Sequence, residues 1–155
     1  MAKSLSYFMR EEAKQEPIIT VPGPDTIKDE NGNVVNLEIK KLSNEHITKI
    51  NEMYTTKTVL KDRKGNFVVQ NGQVVYKVEK DNSRAARHIM VEALVYPDLK
   101  DEKLMKFFDA VDVTDMPFKV FPDSNEYAYV SKKVMEVLNL LDSEEDENDV
   151  EEAKN

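Results

Sequence analysis

The chain has 155 residues, no cysteine and a formal net charge of −8. This length favours one domain, large enough to fold without disulfides or metal. The missing cysteines exclude a disulfide framework, thiolate metal sites and a cysteine nucleophile, and they fit a reducing cytosol. No run of about 18 apolar residues occurs, so no membrane span is expected. "MAKSLSYFMREE" lacks the apolar core of about 7–15 residues that a signal peptide carries.

The acidity is local. "DSEEDENDVEEAKN", residues 142–155, holds eight acids and one base, while residues 1–141 hold 22 acids and 21 bases. The body is therefore nearly neutral and has no global field to attract nucleic acid.

In chain order, residues 4–14 form the first expected helix, with Leu5, Phe8 and Met9 on one stripe. It stops before Pro17, because a residue preceding proline avoids the helical region. "PIITVPGPDT" follows. Pro17, Pro22 and Pro24 make it an edge strand or an extended strap. Asn31-Gly32 then reads as a type I′ hairpin turn leading into alternating Val35, Leu37 and Ile39. Helix two covers residues 43–56, with Ser43 as N-cap and Ile47, Ile50 and Tyr54 inward. Turns at Gly65 and Asn71-Gly72 divide a meander of about three strands at 57–62, 67–70 and 73–79. The likeness of "NGNVV" to "NGQVV" is read as shared turn chemistry, not as an internal repeat.

Helix three covers residues 83–96. Ala85, Ala86, Ile89, Met90, Ala93 and Leu94 share a face, Val91 and Val95 widen it, and Pro97 closes it. Helix four covers residues 98–108, with Leu104, Phe107 and Phe108 inward, and "DMPFKVF" reads as a short turn. The last helix begins at Asp123, which has capping-box spacing to Glu126. Its stripe of Tyr127, Val130, Val134, Val137 and Leu141 ends where the acids begin. The expected class is α+β: a mainly helical single domain over residues 1–141, about five helices with a small antiparallel meander in the middle. Residues 142–155 are too polar to offset ordering entropy and are expected to be disordered.

No constellation for catalysis is found. His88 and Glu92 lie four apart, a spacing that can share a metal, but no third ligand is signalled, so a surface pair is the reading. His46, in the first turn of helix two, is expected to face water. There is no phosphate loop and no nucleophile elbow. Lys80, Arg84 and Arg87 form a small basic cluster, read as a solvated helix start. No catalytic, metal or cofactor site is expected, and no nucleic-acid or membrane partner.

What remains is an interaction protein. "SLSYFMREEAK" concentrates Leu5, Tyr7, Phe8 and Met9 in a segment too short to be a stable helix alone. It must dock on its own domain, on a second copy or on a partner, and these four residues are the candidate contact surface. The acidic stretch is expected to be auxiliary, keeping complexes soluble.

"SLSYFMREEAKQEPIITVPGP", "HIMVEALVYPDLKDEKLMKFF" and "DMPFKVF" resemble, in order, the XkdN-like tail assembly chaperone family of contractile-tailed phages and phage-derived elements. The resemblance covers about residues 4–141. It implies a non-enzymatic protein of the host cytoplasm that binds the tape measure protein and keeps it soluble and extended. The tail tube protein is a further implied partner, and the chaperone is absent from the finished particle. A structural component retained in the tail is the alternative. The family carries no catalytic motif onto this chain. The sequence leaves the oligomeric state open.

Overall fold

The computed structural model describes residues 3–140, so the acidic stretch read as disordered, 142–155, lies outside the described residues. Leu141, the expected last residue of the final helix, lies outside them too.

Prolines flank the first strand and keep it at an edge. β1 (Ile18–Pro22) pairs antiparallel with β2 (Asn36–Lys40), from Ile18 opposite Lys40 to Pro22 opposite Asn36. β2 pairs on its other side with β7 (Leu94–Tyr96), giving the order β1-β2-β7. Alternation in β2 turns Leu37 and Ile39 inward.

Ser43 caps α1 (Asn44–Met53), its side chain accepting from the His46 amide at 3.2 Å. Ile50 is buried, with Ile47 and Tyr54 packed beside it. The chain then meets Thr55, Thr56, Thr58 and Val59. β-Branched residues favour a strand over another helical turn, and β3 (Thr55–Val59) begins. α2 (Asn82–Ala93) is the central helix, with Met90, Val91 and Ala93 fully buried. Each large side chain so buried contributes roughly 1.5–3 kcal/mol. The expected third helix ran on to Tyr96, but its last three residues instead form β7. Leu94, Val95 and Tyr96 satisfy β2 there in place of a further helical turn.

α3 (Glu102–Phe107) is short and capped by Asp101, whose carboxylate accepts from Lys103 and Leu104 amides. Leu104 and Phe108 pack against the core as expected, but Phe107, also expected inward, is 80% exposed and stacks edge-on against Phe108. "DMPFKVF" is not merely a turn: it includes α4 (Met116–Val120), with Pro117 at its start and Met116 buried. α5 (Ser124–Val137) follows, burying Val130 and Val134. Its expected capping box does not form. Asp123 makes no side-chain cap, and Glu126 instead accepts from the Thr26 hydroxyl at 2.5 Å.

The described residues thus make one domain of five α-helices and small antiparallel sheets. The core joins α2, α5, α1, β2, Leu99, Met116 and Phe121. Helix outweighs strand among the described residues, but strands take a larger share than the expected mainly helical domain implies. The strands number seven among the described residues, and the expected first helix is not an α-helix.

Candidate partner-binding surfaces

Residues 4–14 form two 3-10 turns, Ser6–Phe8 and Glu11–Lys14, with no buried residue in either. Ser4, Ser6, Tyr7 and Phe8 are weak helix formers, and one or two turns do not repay the cost of nucleation. The four candidate contact residues stand in water: Leu5 69%, Tyr7 78%, Phe8 77% and Met9 74% exposed. Among the described residues nothing packs over these four side chains.

Just past this segment the chain is pinned. Glu16 accepts from the Ser43 amide at 2.8 Å and meets His46 Nδ1 at 3.0 Å. His46 Nε2 is 3.8 Å from Glu92, which also meets His88 Nε2 at 3.5 Å and Lys100 Nζ at 3.3 Å. The His88 Nδ1 hydrogen-bonds the Tyr54 hydroxyl at 2.5 Å. His46 therefore does not simply face water, and His88–Glu92 is not an isolated surface pair. Sequence spacing could not foresee that α1 and α2 would bring both histidines to one carboxylate. Among the described residues no three or more His, Cys, Asp or Glu side chains converge to hold a metal. Burial raises the Tyr54 phenol above its ordinary value. The chain of contacts ties the N-terminal strap to α1 and α2, so residues 4–14 are held by a fixed base while their apolar side chains remain free.

Arg84 and Arg87 are not a solvated basic patch. Arg84 pairs with Asp112, donates to Thr114 Oγ1 at 3.3 Å and lies over the Tyr54 ring. Arg87 donates to the Thr114 carbonyl at 2.9 Å and lies 4.7 Å from the Phe118 ring centre. Both side chains are occupied in fastening the Asp112–Asp115 loop to α2.

A second exposed surface was not singled out from sequence. β3 pairs with β6 (Tyr76–Lys80), from Thr55 opposite Lys80 to Val59 opposite Tyr76. Beyond that stem, Leu60, Val68 and Val75 close a ring of backbone hydrogen bonds: Leu60 N–H to Val75 O, Val75 N–H to Val68 O, and Val68 N–H to Leu60 O, each 2.9 Å. Two hairpins leave this junction. One turns at Gly65; the other is β4 (Val69–Gln70) with β5 (Gln73–Val74). Between Tyr54 and Ala85 no residue is buried. The expected meander is thus a three-way ribbon standing off the body. Its apolar residues, including Phe67 at 60% and Tyr76 at 57% exposed, have no body to cover them.

Known proteins match this chain over nearly its full length. It is 28% identical over 151 residues to the "Phage-like element PBSX protein XkdN" of Bacillus subtilis (strain 168), covering 97% of this chain and 93% of that protein. It is 29% identical over 142 residues to the "Uncharacterized protein YqbN" of the same organism, covering 92% and 88%. The crystal structure of the protein YqbN shares the fold, with a TM-score of 0.67 at 22% identity over 90% of this chain and 98% of that one. A family model described as Phage XkdN-like tail assembly chaperone matches residues 5–154, and the chain belongs to that family of phage tail assembly chaperones.

Proposed function

We propose that this chaperone binds the tape measure protein and holds it soluble and extended, without catalysis, while tail tube subunits assemble around it. The binding occurs in the bacterial host cytoplasm, and the chaperone leaves before the particle is complete. The observation that carries the reading is the cluster of Leu5, Tyr7, Phe8 and Met9, at least 69% exposed on a strap whose base is pinned. A long helical chain with apolar stretches aggregates in water, and a protein that binds those stretches before assembly holds the chain back by mass action. Methionine and aromatic side chains suit such a surface, because they adapt to varied apolar partners. Release requires modest affinity, and a four-residue anchor on a short strap supplies no more than that.

The test is a double substitution, Phe8→Ser with Met9→Ser. Co-purification with the tape measure protein should fall at least about tenfold, the loss of about 1.4 kcal/mol or more in binding. The Tm should hold within about two degrees, since neither side chain is buried. A large fall in Tm would place these residues in the folding core and end the proposal. Mass spectrometry of purified particles should find no stoichiometric copy of the chain; finding one would make it a structural component instead.

A further inference from the structure

We propose that the ribbon formed by residues 55–80 is a docking surface for the chain's own acidic segment, residues 142–155. The proposal concerns a contact within one molecule and does not depend on which client the chaperone carries.

The ribbon is the basic part of the protein. It holds Lys57, Lys61, Arg63, Lys64, Lys77 and Lys80 against only Asp62 and Glu79, a net charge of +4. The remainder of residues 1–141 has 20 acids and 15 bases, a net of −5. Among the described residues, Lys77 meets Glu79 at 3.0 Å, and no other ribbon cation lies within ion-pair distance of a carboxylate. Lys61 lies over the exposed Phe67 ring instead, at 5.8 Å. A two-stranded ribbon is marginal in water on its own, and among the described residues no further strand pairs with β3 or β6 and their side chains are almost all exposed. It needs cover, and charge decides which cover fits.

Two ribbons packed together would bring +4 against +4, so self-pairing is disfavoured. A carboxylate-rich segment is favoured, and the chain carries one. Residues 142–155 hold eight acids and one base, a net of −7. Fourteen residues can span at most about 46–50 Å. A body of this size has a radius of gyration of about 14 Å, so the segment can reach far round the molecule. Tethering raises its effective concentration to the millimolar range, so weak attraction suffices. Val150 and Ala153 are the only apolar residues of the segment, so it neutralises the ribbon's charge while leaving Val59, Tyr76 and Val78 uncovered. It therefore acts as an internal competitor. An incoming polypeptide that brings both carboxylates and apolar side chains displaces it.

The absence of cysteine makes the test direct. A nitroxide label is attached to full-length protein through Ala153→Cys, and amide signal broadening is read by NMR. At low salt, amides of residues 57–64 and 76–80 should lose more than half their intensity. The effect should disappear by about 0.5 M salt, where the Debye length falls to a few ångströms. Changing Lys61, Arg63 and Lys64 to Gln at the solvated hairpin tip should also abolish it. Broadening spread over the helical body, or absent from the ribbon, overturns the proposal. So does broadening that appears only when labelled protein is mixed with a separate isotope-enriched copy, which would assign the contact to a second molecule. Persistence after the three Gln substitutions would remove its charge basis. Finally, a 15-nucleotide single-stranded DNA should bind the full chain more weakly than a chain whose eight segment acids are changed to amides. Equal binding would mean the segment does not occupy the ribbon.

Discussion

A Cβ placed on Gly23 would lie 2.1 Å from the Val35 carbonyl oxygen, which already accepts the Gly23 amide at 3.1 Å. The obstacle is backbone, which cannot swing aside as a flexible side chain can. Gly23→Ala should therefore cost about 1–3 kcal/mol, as overpacking does, and lower the Tm by several degrees in a thermal melt. An unchanged Tm would mean that β1 can shift along β2 without loss. Nothing in "VPGPD" reveals this requirement, because it arises from the return of the chain twelve residues later. Local signals at the same scale were legible. The Ser43 cap and the burial of Leu37 and Ile39 follow from neighbours within four residues. Arg84, Arg87, His46 and Glu126 were misjudged because each finds its partner on a distant element, between 27 and 100 residues away.

Two hairpins share one turn, and they are not the pair "NGNVV" and "NGQVV". "KDENGNVV", residues 28–35, and "KDRKGNFV", residues 61–68, share a backbone hydrogen-bond pattern: the Asp29 and Asp62 amides donate to the Asn33 and Asn66 carbonyls, and the Gly32 and Gly65 amides donate back to the Asp29 and Asp62 carbonyls. Asp29 Oδ1 accepts from the Asn31 and Asn33 amides at 2.9 and 3.0 Å, and Asp62 Oδ1 accepts from the Lys64 and Asn66 amides at 2.9 Å each. Gly32 and Gly65 both sit at φ +82°. Asn31 does not adopt positive φ, so Asn31-Gly32 is not the expected type I′ pair; Gly32, in the left-handed region, donates back to the Asp29 carbonyl. Asn71-Gly72, with φ of 50° and 76°, is the type I′ pair. The matched octapeptides meet different fates because the first hairpin is continuous with the core sheet and the second belongs to the ribbon. The sequence marked every turn glycine but not that difference, since alternation in the ribbon places Lys57 beside Val59 and leaves no continuous core face. Few buried contacts mean low local stability. Hydrogen exchange should therefore find amides of 55–80 opening at least about a hundredfold more readily than those of α2. Equal protection would show that the ribbon is clamped to the body.

At the scale of the whole molecule, two carboxylates hold peripheral segments onto the helical body, and both are acid-sensitive in the same direction. The Ser43 amide chiefly lowers the Glu16 carboxyl below its ordinary value near 4.5; burial opposes this and His46 assists. The Thr114 amide, then its hydroxyl, lowers the Asp112 carboxyl below its ordinary value near 3.8; burial opposes this and Arg84 assists. In each case the folded state binds a proton less readily than the unfolded chain does. Their contribution to stability is therefore complete above the ordinary carboxylate range and is lost as pH falls through the lowered folded values. Glu16 fastens the N-terminal strap to α1, and Asp112 fastens the loop after α3 to α2. Acid should release these two attachments while the apolar core, whose buried residues carry no carboxylate or histidine, stays packed. The Tm should be flat from about pH 7 to 5.5 and fall below about pH 4.5. Glu16→Gln should lower the Tm at pH 7 and make the fall in acid shallower, because one proton-linked step has been removed. Calorimetry across this range checks both signs. A Glu16→Gln chain with wild-type Tm at pH 7 and an unchanged acid slope would mean that the strap is not held through this carboxylate, and that Leu5 to Met9 are presented from a loose end, not from a pinned base.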